Sequence, residues 1–116
     1  MDPEAFRQLD RVIHEKGRLA IMSLLAASPE LSFTDLRALL QMTDGNLTTH
    51  LRTLQEAGYV QVTKSTFNKR PLTTVTLSEA GRRAFTEYLA VLEKILQDTR
   101  AATDKHDVPD YKGRTS

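Results

Sequence analysis

The chain has 116 residues, 40% of them apolar and 27% charged, with no cysteine and a formal net charge of +1. That length suits one domain around one core, and the composition is ordinary for a globular protein. The lack of cysteine removes disulfides, thiolate metal sites and cysteine nucleophiles, and no apolar run approaches the ~18 residues of a membrane span. The opening "MDPEAFRQLD" has no apolar signal-peptide core, so a cytoplasmic protein without membrane association is expected.

The charge is distributed unevenly. Residues 1–42 hold five Lys/Arg against six Asp/Glu, residues 43–83 six against three, and residues 84–116 five against six. The positive excess in the middle is the kind of footprint a nucleic-acid face leaves.

From Pro3 to Ala27 the chain reads as helix. Pro3 suits a first turn, and Phe6, Leu9, Val12 and Ile13 recur at helical spacing. Gly17 interrupts the pattern, which predicts two helices with a junction near His14 to Gly17. The second carries Leu19, Ile21, Met22, Leu24 and Leu25 and ends before Ser28-Pro29, with residues 28–31 as a turn. "SFTD", Ser32 to Asp35, has the form of a capping box with Asp as its acid. It predicts a short helix from about Phe33 to Leu40 that buries Leu36, Leu39 and Leu40.

After the break at "QMT", Thr43 is the expected N-cap of a further helix, with Asp44 near its positive end. This helix runs to Ala57 and stops at Gly58. The period then changes from 3.6 to 2. "YVQVTKSTF" and "TTVTLS" read as two strands of a hairpin, joined by the polar, basic loop Asn68 to Pro71. Ser78 caps a long last helix, about Glu79 to Arg100. Residues 101–116, which include "TDKHDVPDYKGRTS", have few apolar residues and are expected to be a disordered tail. Residues 1–100 then form the folded domain.

A short helix, a tight turn, a second helix and a hairpin with a basic tip make a helix-turn-helix followed by a wing. The fold class is mainly α with a small β-hairpin. In this arrangement the second helix enters the major groove of DNA. Its composition agrees. On a helical wheel Leu51 and Leu54 fall within about 40° of Leu47 and form the core side, while Gly45, Thr49 and Arg52 lie opposite. Asn46, Thr48 and Thr53 flank them. Short polar side chains there allow close approach and bond base edges or phosphates, at some loss of helix propensity. His50, about 60° from Leu47, sits at the edge of the buried stripe and suits a bond to backbone or phosphate.

The segments "RLAIMSLL", "FTDLRALLQMTDGNLTTHLRTLQEAGYVQV" and "RPLTTVTLSEAGRRAF" together resemble the winged helix-turn-helix transcriptional regulators of the MarR/ArsR-like superfamily, and especially its small single-domain winged helix DNA-binding group. The resemblance spans about residues 9–96. It implies a recognition helix within residues 43–57, a wing at 67–72, dimerisation through the terminal helices and, by family default, repression. The expected partners are double-stranded DNA and a second copy of the chain. The expected DNA-binding residues are Thr43, Asn46, Thr48, Thr49, His50, Arg52, Thr53, Lys64, Lys69 and Arg70.

Metal-sensing branches of the superfamily place His, Asp and Glu ligands on terminal helices. Here only His14, His50 and His106 occur, far apart in the chain, so no metal and no other cofactor is expected. Nor is an enzyme: there is no nucleophile elbow, glycine-rich phosphate loop or paired acid and base. A winged helix that binds protein is the alternative; it would carry a neutral or acidic outer face and a wing without Lys or Arg. A small apolar effector between terminal and central helices is compatible with DNA binding.

The last helix has two adjacent apolar rows, Phe85, Leu89, Leu92, Leu96 and Ala84, Tyr88, Val91, Ile95. Together they are wider than the ~100° stripe one small core needs. A homodimer interface is therefore expected at Phe6, Leu9, Val12, Ile13, Tyr88, Val91, Leu92, Ile95 and Leu96, on a pseudo-palindromic operator.

Overall fold

The computed structural model describes residues 3–106. The N-terminal helix is one turn, α1 (Glu4–Arg7), followed by an irregular segment and then α2 (Lys16–Ala27). The break comes earlier than the sequence suggests. The Asp10 carboxylate accepts the backbone N–H groups of Val12 at 2.8 Å and Ile13 at 3.3 Å, which gives this backbone an alternative to the helical ladder. Glu15 caps α2 by accepting the N–H of Arg18 at 2.8 Å. Gly17 thus lies inside the first turn of α2 and is not the break.

Leu31 and Ser32, expected as turn and cap, form a short strand, β1 (Leu31–Ser32), opposite Val75 and Thr74. Two residues are too few to show an alternation in the sequence. Next comes α3 (Phe33–Leu40), capped by the Ser32 hydroxyl, which accepts the N–H of Asp35 at 3.0 Å. Leu36 is buried and Leu40 half-buried, but Leu39 is 60% exposed. Phe33, Leu36 and Leu40 fall within about 60° of one another, and Leu39 lies a further 60° round the helix, beyond the covered face.

Gln41 takes a left-handed conformation, φ 53°, and turns the chain into α4 (Asp44–Glu56). The Thr43 hydroxyl caps α4 by accepting the Asn46 N–H at 3.0 Å, and Leu47, Leu51 and Leu54 are its buried stripe. Gly58, at φ 83°, ends the helix as expected. The hairpin follows, β2 (Val60–Phe67) against β3 (Arg70–Leu77). Its turn is tighter than the Asn68–Pro71 loop expected. Only Asn68 and Lys69 lie between the strands, and both have positive φ, 53° and 64°, which is the signature of a type I′ turn. Arg70 and Pro71 belong to β3. Proline is tolerated there because β1 pairs only with Thr74 and Val75, so at Pro71 the strand has β2 alone as neighbour. The sheet has three strands in the order β1-β3-β2.

The last helix is α5 (Glu79–His106). Its cap is the Ser78 hydroxyl, which accepts the Gly81 N–H at 2.9 Å and donates to the Gly58 carbonyl at 2.5 Å. It continues past the expected end at Arg100, so residues 101–106 are helical; the rest of the expected tail, 107–116, lies outside the described residues. No helix among the described residues is long and apolar enough to cross a membrane.

The core joins Ile13, Ile21, Met22, Leu25, Leu36, Leu47, Leu54, Val75 and Tyr88, all fully buried. It claims part of the surface expected to face a second copy. Leu9, Ile13, Tyr88 and Ile95 are covered within the chain itself, and the Tyr88 hydroxyl lies 2.7 Å from His14 Nδ1. Val12, Val91 and Leu92 are half-buried, while Phe6, Leu89 and Leu96 remain exposed. The chain thus covers the row of Tyr88 and Ile95, and Phe85 at the start of the other row, and leaves Leu89 and Leu96 of that other row open.

Candidate nucleic-acid interface

α4 owes its position to both of its faces. Leu47, Leu51 and Leu54 hold its inner side on the core. At its start, the Arg37 guanidinium of α3 pairs with the Asp44 carboxylate at 3.0 Å. That bond ties together the two helices of the helix-turn-helix. Asp44 therefore orients an arginine as well as favouring the positive helix end.

The residues expected to contact DNA fall into distinct groups. Thr43, Asn46, Thr48, Thr49 and Arg52 are all exposed on one side of α4. The Thr43 hydroxyl is occupied as the cap. Thr53 is half-buried, and its hydroxyl donates to the Thr49 carbonyl at 3.2 Å. His50 does not join this side. Its ring lies over Gly17, with Nδ1 3.5 Å from Arg18 Nη1 and 3.7 Å from Glu15 Oε1. It fastens α4 to the start of α2.

Glu15 is shaped by the same cluster. Burial alone would raise its carboxyl pKa, but the backbone N–H groups of Arg18 and Gly17, with the nearby His50 and Arg18 side chains, bring it below the ordinary value.

The hairpin supplies the second part of the surface. Every residue from Thr63 to Pro71 is exposed, so the wing stands clear of the core. Side chains alternate across it. Lys64 and Thr73, directly paired, share the face of Val62 and turn toward α4. Between helix and hairpin lies a groove of about 380 Å³ lined by Phe33, Thr48, Leu51, Arg52, Gln55, Val62, Lys64 and Thr73. Its floor is apolar and its rim carries the two cations. Lys69 sits in the turn and Arg70 opens β3. Among the described residues, Arg52, Lys64, Lys69 and Arg70 have no carboxylate within ion-pair distance. By contrast Arg83 pairs with Glu79 at 3.6 Å.

Gln55 and Thr73 join this groove without a signal of their own in the sequence beyond spacing: Gln55 follows Thr48 and Arg52 along one row of the helix at i, i+4, i+7. Thr73 became visible only through the strand register.

Known proteins share this arrangement. A family model described as a winged helix DNA-binding domain matches residues 18–96. An uncharacterized protein of Methanocaldococcus jannaschii is 34% identical over 79 residues, which is 68% of this chain and 86% of that protein. Among solved structures, a transcriptional regulator homologue of Pyrococcus horikoshii superposes with a TM-score of 0.78 at 26% identity, covering 83% of this chain and 97% of that one. A zinc-responsive MarR family member from Lactococcus lactis superposes with a TM-score of 0.57 at 22% identity, over 91% of this chain and 71% of its own, and shares the fold. With its helix-turn-helix, its basic hairpin and the match over most of its length, the chain belongs to the winged helix DNA-binding domain family.

Proposed function

We propose that the chain is a sequence-specific repressor that binds a pseudo-palindromic operator as a homodimer. One observation carries the reading: an exposed row of short hydroxyl and amide side chains on α4 lies beside hairpin cations that have no ion-pair partner among the described residues. Asn46 and Thr49 are the residues that read bases. They stand on the outer side of the first turns of α4, and their short side chains let the helix approach the groove floor. Arg52, Lys64, Lys69 and Arg70 hold phosphates on either side. Exposed Leu89 and Leu96 on α5, together with Phe6, give each protomer an apolar strip for a partner. A two-fold axis there presents two recognition helices to successive turns of DNA, ~34 Å apart or a multiple of it.

The test is selection of duplexes from a random-sequence library by the full chain, followed by affinity measurements on the selected and on scrambled duplexes. The expected result is a symmetric consensus with two half-sites. Thr49→Ala should lower the preference for selected over scrambled duplexes by about 1–3 kcal/mol, the scale of one lost base contact. Selection of no consensus, or an unchanged preference in Thr49→Ala and Asn46→Ala alike, overturns the assignment.

A further inference from the structure

The hairpin carries a large apolar side chain that the core does not use. Phe67 ends β2 at the tip of the wing and is 64% exposed. The register sets Phe67 opposite Arg70 and Ser65 opposite Leu72. These residues share the face of the hairpin opposite to that of Val62 and Val75. Phe67, Arg70, Pro71 and Leu72 rim one shallow hollow at the tip. Lys69, two residues on in the type I′ turn, adds a further cation at the tip. Neither Lys69 nor Arg70 has an ion-pair partner among the described residues.

An exposed phenylalanine at a hairpin tip contributes nothing to the core and invites self-association. Its flanking cations say what it meets instead. Two positive charges at the same hairpin tip as a flat apolar ring match a surface whose rim is anionic and whose interior is stacked and apolar, which describes the minor groove of duplex DNA.

We propose that Phe67 is a wedge that kinks the operator. The proposal rests on the DNA-binding reading above. Lys69 and Arg70 hold phosphates across the minor groove beside the half-site, and the Phe67 ring enters between adjacent base pairs. Apolar wedges of this kind unstack a base step and bend the duplex toward the major groove. A flat ring replaces part of the lost stacking, because every base offers it a π-face. The opening is cheapest at pyrimidine–purine steps, so the wedge selects operators with such a step under each wing. That is specificity at positions no polar side chain reads. The bend also brings the flanking DNA toward Lys64 and Arg52.

The test uses the full chain and the duplexes it selects from a random library. The ends carry a donor–acceptor pair that reports bending, and 2-aminopurine under the wing reports unstacking. Wild type should shorten the end-to-end distance and raise 2-aminopurine fluorescence. Phe67→Ala should abolish both while keeping the salt dependence of binding, since Lys69 and Arg70 remain. Phe67→Leu, still apolar, should keep part of the bend. The ring is exposed, so thermal melting of both variants should match wild type. A straight duplex in the wild-type complex, or an undiminished bend with Phe67→Ala, overturns the wedge and leaves the DNA-binding reading intact. A wild-type chain that binds no duplex overturns both.

Discussion

In the first turn of α5, Gly81 lies directly on the carbonyl of Tyr59: a Cβ at Gly81 would stand 2.0 Å from that oxygen and 2.8 Å from the carbonyl carbon. The same oxygen accepts the Ser78 N–H at 3.0 Å, so the start of α5 and the start of the hairpin are locked backbone to backbone. Gly17 offers a contrast. A Cβ there would meet His50 Nε2 at 2.7 Å, but that atom is the end of a side chain that can turn away. Gly81→Ala should therefore cost about 3 kcal/mol or more, because backbone has to move. Gly17→Ala should gain about 1 kcal/mol of helix propensity and lose a similar amount by displacing His50. Urea denaturation of the two variants checks this; a Gly81→Ala midpoint equal to that of wild type would contradict the close approach.

Tyr59 also anchors the N-terminal segment. Its hydroxyl donates to Asp10 Oδ2 at 2.5 Å, and Asp10 Oδ1 holds the backbone of Val12 and Ile13. The hydrogen bond to Asp10, then burial, then the Asp10 and Glu87 charges push the Tyr59 pKa from 10 up to about 12. The folded state thus holds this proton more tightly than the unfolded one. Its contribution to stability is complete below pH 10 and is lost as pH rises through about 12. Tyr59→Phe should lower stability at neutral pH by about 1–2 kcal/mol and flatten the alkaline limb. Tyr88, raised by burial, contributes to the same alkaline limb. An alkaline limb unchanged in Tyr59→Phe would rule out the assignment.

Glu15 works in the opposite direction. Its folded pKa lies below the ordinary 4.5. Its contribution is therefore present above pH 4.5 and is lost as pH falls through the folded value. Glu15→Gln removes that titration and leaves a weaker cap for α2. The variant should be less stable at neutral pH and should lose less stability than wild type on acidification. Urea midpoints measured from neutral to acid pH give the comparison, and parallel curves would show that Glu15 does not contribute to the acid limb.

The elements that could be read from the sequence are those that announce themselves locally. Thr43, Leu47, Leu51, Leu54 and Gly58 delimit α4 through a cap, a stripe and a C-terminal glycine, and Ser32 and Ser78 do the same at the starts of α3 and α5. The alternation of Val60, Val62, Val75 and Leu77 marks the hairpin. What stayed hidden depends on partners distant in sequence. β1 exists only because Leu31 and Ser32 meet Val75 and Thr74. α1 ends early because the Asp10 carboxylate accepts the backbone N–H groups of Val12 and Ile13 and the Tyr59 hydroxyl. His50 looks like an edge residue on a wheel, but Gly17 makes room for it to lie on α2. The exposed row of α4 was visible as a row of poor helix formers; the groove beside it needed the register that brings Lys64 and Thr73 opposite one another.

Lys69 and Arg70 should supply affinity without sequence preference. Each phosphate contact releases counterions, so losing one cation lowers the slope of log affinity against log salt by about 1. The double variant Lys69→Ala, Arg70→Ala should bind selected and scrambled duplexes more weakly by the same factor, with its slope reduced by about 2 per protomer. Affinity titrations over a range of salt read both effects. An unaltered slope would mean that the wing tip stays in solvent.

The exposed leucines of α5 make the last prediction. The helix has 28 residues, ~42 Å at 1.5 Å per residue, longer than a body of this size can cover. Tyr88 and Ile95 are buried against the chain's own N-terminal segment and core, while Leu89 and Leu96 are 46% and 45% exposed and Phe6 is 50% exposed. Leu89, Leu92 and Leu96 follow one another at i, i+3, i+7, the spacing of a continuous helical stripe. A second copy related by a two-fold axis would bury that stripe against its own. Leu89→Glu and Leu96→Glu change side chains that the protomer does not bury, so each should leave the fold intact and place a charge in the interface. Sedimentation equilibrium at micromolar concentration should give a dimer mass for wild type and a monomer mass for the double variant. The monomer should still contact a single half-site, with its salt slope roughly halved because half the phosphate contacts are gone. A monomer mass for wild type, unchanged by these substitutions, would remove the dimer and with it the two-fold symmetry of the operator.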